Sequence, residues 1–161
     1  MTGRLEESFF ARDTVQVARD LIGKRLIRLE GTTRITGIIL ETEAYRGEED
    51  LACHCRAGRT PRTEIMYGPA GRSYVYLIYG KYWLLNIVTE VEGSPGAVLI
   101  RAIYPQEGKQ IIARRRKGRS QKKWTDGPGK ICQALNIDGA LNGLNTCGSG
   151  SPLFIEEGQK V

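Results

Sequence analysis

The chain has 161 residues, 40% of them hydrophobic and 26% charged, with four cysteines; this suits one ordinary globular domain and excludes wholesale disorder, collagen-like repeats and a disulfide-dense scaffold. Lysine and arginine outnumber aspartate and glutamate by 24 to 18, a net charge of +6. No apolar run approaches the ~20 residues of a membrane span, and the amino-terminal residues lack an apolar signal core, so the expectation is an intracellular, cytoplasmic chain with no membrane partner.

In chain order, Asp13 or Thr14 opens a helix with an apolar face of Val17, Ala18, Leu21 and Ile22, which Gly23 stops. Lys24–Leu29 and Arg34–Tyr45 flank a Gly31-Thr32-Thr33 turn and predict a β-hairpin. Arg46 to Gly71 is a polar connection, long enough to be functional or to hold short helices. Strands follow at Ser73–Tyr79, Tyr82–Glu90 and Ala97–Tyr104, broken by Gly80 and the Gly93–Gly96 turn and closed by Pro105. Glu107–Arg116 reads as a helix, Gly127-Pro128-Gly129 opens another that carries Ile131, Cys132 and Leu135, and Pro152–Glu156 is a last strand. The pattern predicts an α+β fold: a single domain over residues 1–161, with a curved, open-barrel-like antiparallel sheet surrounded by helices.

Seven cations crowd one stretch, Arg114, Arg115, Arg116, Lys117, Arg119, Lys122 and Lys123, and no acid lies between Gly108 and Thr125. Such a block suits a polyanion, because each phosphate contact releases counterions; taken alone, a solvated helix end explains it as well. On a strand, Glu41, Glu43 and Tyr45 share one face, so two carboxylates and a phenol project together, as a general base would require. An exposed polar strand end would look the same. All seven tyrosines lie between positions 45 and 104. Tyr74 and Tyr76 share a strand face, while Tyr79 stands just before Gly80, where an aromatic can wedge between base pairs. Aromatics are also simply favoured in strands.

His54, the only histidine, lies in the polar connection, within reach of a ligand or in an ordinary structural role. Arg101 interrupts the apolar run 97–103 and needs an anion, with Glu41 or Glu43 available. Neighbouring residues of Cys53-His54-Cys55 point apart, and Cys132 and Cys147 lack metal-ligand spacing, so reduced thiols and no metal are expected.

Several motifs in order resemble the alkyladenine (3-methyladenine) DNA glycosylase family. They are Glu41-Thr42-Glu43-Ala44-Tyr45, Asp50–His54, Thr60-Pro61-Arg62 with Met66, Tyr74–Gly80, Tyr82–Asn86, Val98–Ala102 and Gly127–Leu135. The resemblance spans nearly the whole chain. It implies a monofunctional hydrolase that excises alkylated or deaminated purines from double-stranded DNA by base flipping, in base excision repair, as a monomer and with no cofactor.

Carried over residue by residue, the resemblance makes Glu43 the base that activates water, with Arg101 orienting it. Tyr45, His54 and Tyr76 would stack on the extruded base, Asn86 would lie at the pocket floor, and Tyr79 would fill the vacated space in the duplex. Thr60, Arg62, Tyr82 and Lys130 would contact the DNA backbone. The family's fold continues beyond the strand resembling Leu153–Glu156, so the resemblance implies a form lacking that carboxyl-terminal segment. A non-catalytic nucleic-acid binder, or an inactive short member of the family, is the alternative reading of the same residues.

Overall fold

A computed structural model describes residues 3–53 and 58–158. Its centre is a six-stranded sheet formed by β1 (Arg25–Glu30), β2 (Thr33–Arg46), β3 (Ser73–Ile78), β4 (Tyr82–Val88), β5 (Gly96–Glu107) and β6 (Leu153–Glu156). The strand order is β3-β4-β5-β2-β1-β6, and every pair is antiparallel. Four helices accompany it: α1 (Glu7–Phe10), α2 (Thr14–Leu21), α3 (Lys109–Arg115) and α4 (Pro128–Leu135). The architecture is the expected α+β. None of the described helices is long and apolar enough to cross a membrane.

Local chemistry explains the elements. The Asp13 side chain accepts from Gln16 N and caps α2, whose Val17, Ala18 and Leu21 are buried. Glu90 accepts from both the backbone N and the hydroxyl of Thr14 at 2.6 Å, tying the start of α2 to the end of β4. Pro128 occupies the first turn of α4, where its missing N–H costs nothing, and Asn136 ends the helix in the left-handed region at φ 52°. Gly31, at φ 60°, takes the first of the two positions between Glu30 and Thr33, where a hairpin turn of the II′ kind favours glycine.

The main core lies between one sheet face and the helices, with Phe10, Leu21, Ile39, Leu85, Ile87, Ile100, Ile131 and Leu135 essentially fully buried. A smaller cluster of Cys53, Met66, Tyr67, Tyr74, Val88 and Ala97 covers the other side of β3–β5. The sheet changes its alternation between these regions. Ile35 and Ile39 of β2 face the main core, yet beyond them it is Ala44 that packs there and Thr42 that donates to Ala18 O of α2. On β5 the core residues Val98 and Ile100 are followed by Ile103. Register shifts fall between Ile39 and Glu41 and between Glu41 and Thr42, so each strand inserts two consecutive residues where alternation allows one.

Three details depart from the sequence expectations. β5 does not stop at Pro105 but runs to Glu107, because Pro105 sits beside a register shift at Thr36/Gly37, where a missing N–H is tolerated, and Glu107 N donates to Thr36 Oγ1 at 3.2 Å. Ile22 is left 46% exposed by the end of α2, outside the expected apolar face. Cys53 is disulfide-bonded rather than reduced, whereas Cys132 and Cys147 are free.

At the same irregularity Gly37 lets β2 and β5 approach closely: a Cβ there would stand 2.7 Å from Ile103 Cδ1 and 3.1 Å from Tyr104 O. Gly37→Ala is therefore expected to destabilise by about 1–3 kcal/mol through overpacking. Ile103→Val alone removes one methylene and costs about 1 kcal/mol. In urea unfolding the double variant should lose less than the sum of the two; strict additivity would place the clash elsewhere.

Candidate active site

The residues of the site lie along one row of the sheet. Tyr74 pairs with Asn86, Asn86 with Leu99, and Leu99 with Glu43, in register across β3, β4, β5 and β2. Directly paired residues of an antiparallel sheet present their side chains to the same face. At ~4.8 Å per strand the row is roughly 14 Å long, with Glu43 at one end and Tyr74 at the other. Ala97 and Tyr45 pair in the next row. Between them is a cavity of about 90 Å³ lined by Tyr45, Ala52, Met66, Tyr74, Tyr76, Asn86 and Ala97.

Glu43 is the polar centre of this face. Its Oε1 accepts from Arg101 Nη1 at 2.6 Å, and its Oε2 accepts the hydroxyl of Tyr45. A carboxylate has about four lone-pair positions, so two donors leave places for a water. The Arg101 side chain is 52% exposed and that of Glu43 32%. Arg101 is thus not the buried cation expected from its apolar neighbours; it lies at the two-residue irregularity of β5 and reaches the carboxylate from the surface. The same irregularity separates Glu41 from the face shared by Glu43 and Tyr45. Glu41 is exposed and forms no ion pair among the described residues.

The phenols are held neutral. Burial, reinforced by the hydrogen bond to Glu43, pushes the Tyr45 hydroxyl well above its ordinary range. Burial also raises Tyr74 and Tyr76, with Arg62 opposing the shift in both and a hydrogen bond from Asn86 opposing it in Tyr76. The Tyr74 and Tyr76 rings are 5.1 Å apart, and the Arg62 guanidinium stands 5.3 Å from the Tyr76 ring centre. Asn86 is 2% exposed, donates to Tyr74 O at 3.3 Å and is one of the residues that line the cavity.

Tyr79 crowns the β3–β4 hairpin. Tyr79 and Gly80 both have positive φ, 53° and 61°, and Lys81 N donates to Ile78 O at 3.0 Å, as in a type I′ turn. Its first central position favours glycine or asparagine, and a left-handed tyrosine costs roughly 1–2 kcal/mol. The residue is nevertheless 91% exposed. Strain and an exposed aromatic at one position mark a functional site better than a packing one.

The remaining predicted residues are more dispersed. Tyr82 is 46% exposed next to the turn of the hairpin, and Lys130 bonds Asp126 at 2.7 Å four residues away, an ion pair that holds the Asp126 carboxyl below its usual range. The Thr60 and Thr63 hydroxyls bond at 3.0 Å. His54 lies outside the described residues. No group of three or more metal-ligating side chains occurs among the described residues. Ala52 and Ala97 line the cavity without a chemical signal in the sequence: being small, they shape it by what they leave empty.

Comparison with known proteins identifies relatives of the chain. The family model described as Methylpurine-DNA glycosylase (MPG) matches residues 8–161. A protein of Methanocella arvoryzae, named provisionally as a 3-methyladenine DNA glycosylase, is 49% identical over 158 residues, covering 98% of this chain and 78% of that protein. Proteins with the same provisional name from Desulfitobacterium hafniense and Myxococcus xanthus are 47% and 50% identical, over 96% and 89% of this chain and 79% and 69% of their own lengths.

The Tyr45 environment makes a pH prediction. Unfolded tyrosine ionises near pH 10, whereas folded Tyr45 keeps its proton. Above pH 10 the folded state therefore binds more protons, and its stability falls as pH rises. Between pH 9 and 11 the parent should lose about 1 kcal/mol more than Tyr45→Phe, after discounting for the partial exposure of the ring. Urea titrations at the two pH values measure this, and equal losses would show that the phenol ionises freely in the fold.

Proposed function

Since the chain belongs to the methylpurine-DNA glycosylase family, we propose that it is a monofunctional DNA glycosylase that removes alkylated or deaminated purines from double-stranded DNA. The observation that carries this reading is the arrangement of Glu43. One carboxylate is oriented by Arg101 and Tyr45 at the end of a sheet row whose other members, Asn86 and Tyr74, line a tyrosine-walled cavity.

The proposed reaction begins with a damaged nucleotide rotated out of the duplex, at a cost of a few kcal/mol that a weakened pair reduces. Tyr79, exposed at the hairpin apex, fills the space it leaves. The base enters between Tyr45 and Tyr76, with the Asn86 amide below it, where it discriminates against the guanine amino group. Electron-rich phenol faces favour an alkylated, cationic base. The cavity is well below the ~300 Å³ of an ordinary ligand site, so the base enters by displacing a wall. Tyr45 is the wall tied to Glu43, so its movement couples base entry to the freeing of Oε2.

Water held at Glu43 then attacks the sugar. The carboxylate accepts the water proton, the water oxygen bonds to C1′, and the bond from C1′ to the base nitrogen breaks with its electron pair on the departing purine. A cationic purine leaves as the neutral base, which lowers the demand on the protein to a general base and a positioned nucleophile. Arg101 acts through Glu43 as a positioning residue.

The test is excision from a duplex carrying one deaminated or etheno adenine, with abasic sites revealed by alkali. The parent should release the base, and Glu43→Gln should slow release at least about 10²-fold, the usual contribution of a general base, while still binding the duplex. Release by Glu43→Gln at the parental rate, or none by the folded parent, would overturn the reading.

A further inference from the structure

Beside the hairpin lies a larger groove of about 760 Å³ whose cations include Lys81, Lys117, Arg119, Lys123 and Lys130, with Arg116 at its base. It separates the basic block into two roles. Arg115 is committed to Glu30 at 2.7 Å and to Ala134 O, and the buried Arg116 to Gln133 and Lys123 O; these two fasten α3 to α4 and β1. Lys117, Arg119 and Lys123 are exposed and form no ion pair among the described residues. Among the groove's lining residues there is no carboxylate. Asp126, bonded to Lys130 and in the field of Lys123, is the acid nearest these cations that the ion pairs reveal.

The position of the groove follows from the hairpin register. Tyr76 pairs with Leu84 and Ile78 with Tyr82, so Ile78, Tyr82 and Leu84, which line the groove, share a face with Tyr74, Tyr76 and Asn86, which line the cavity. From Tyr76 to Ile78 is two residues, about 7 Å along the strand. Groove and cavity therefore adjoin, and Tyr79 projects where the groove reaches the turn.

We propose that this groove is a phosphate track: Lys117, Arg119 and Lys123, together with Lys81 and Lys130, hold the backbone of the DNA strand immediately beside the nucleotide that enters the cavity. The choice of duplex DNA as the ligand rests on the glycosylase reading, and the track adds Lys81, Lys117, Arg119 and Lys123 to the backbone contact of Lys130 that the resemblance implies. Its contacts are to phosphate alone, so it holds undamaged and damaged duplex alike and carries the enzyme along DNA in search of a lesion.

The experiment compares two variants that each remove two charges from the same block: Lys117→Ala/Lys123→Ala within the groove, and Arg114→Ala/Lys122→Ala outside it. Binding to an undamaged duplex is measured across salt concentrations, with thermal unfolding confirming that both variants fold. The groove variant should flatten the slope of log affinity against log salt by about 1.8, two phosphate contacts' worth, while the outside variant keeps the parental slope. Equal slopes for the two variants would overturn the track. Excision by the parent separates this result from the glycosylase reading. A parent that excises while the two slopes are equal loses only the track; a parent that does not excise while the groove variant alone is flattened loses only the glycosylase assignment.

Discussion

The site depends on a change of alternation in the two long central strands. Had β2 kept the period of Ile35 and Ile39, Glu43 and Tyr45 would have followed these residues into the main core, where an ionised carboxylate is very costly to bury. The two-residue irregularity at Leu40 and Glu41, matched by Arg101 and Ala102 on β5, turns both strands together. Thr42 and Ala44 then take the core positions and Glu43 emerges on the opposite face. Both strands shift, so the core stays continuous, with Ile39 beside Ile103 and Thr42 beside Ile100 in the ladder. Arg101 lies at the turn itself, which is why it can meet Glu43 from the surface.

This arrangement marks the boundary of what sequence reading reached. The helices and strands were legible because their apolar periods are clean and their ends carry caps, glycines or prolines. The shared face of Glu43 and Tyr45 was legible from their spacing of two, and the pairing of Arg101 with one of the two glutamates from its need for an anion. Alternation alone did not give the choice of glutamate, because a one-strand pattern assumes an unbroken period and places Glu41 with Glu43; only the resemblance of Glu43-Ala44-Tyr45 singled out Glu43. The row that joins Tyr74, Asn86, Leu99 and Glu43 depends on the order of four strands, which no local pattern contains. The alanines of the cavity were invisible for a different reason: a small residue at a wall leaves no chemical trace.

The basic block shows a similar gap between composition and use. Counting charges treated seven cations as one feature. In the fold, Arg115 and Arg116 act as structural ties, since a guanidinium's several donors can satisfy helix-end carbonyls and a carboxylate or amide together. Lys117, Arg119 and Lys123 stand exposed along the groove. The contacts that anchor the segment by its two arginines also fix where the exposed cations stand, so the buried pair organises the electrostatics of the exposed set.

The hairpin completes the argument, because it opposes stability most openly. A glycine or asparagine at position 79 would relieve the left-handed backbone, and a polar side chain would suit an apex that is almost wholly solvated. A tyrosine there gains nothing from burial in the free protein, so neither turn propensity nor packing accounts for it. The rest of the hairpin supplies what it lacks: Gly80 accepts the second positive φ without strain, six paired positions set the register, and Tyr82 packs against Gly129 at the start of α4. Strain confined to one residue on such a base is held in a defined direction. The backbone that presents Tyr79 beyond the groove is thus set by the hairpin itself, so binding does not have to pay the entropy of forming the turn.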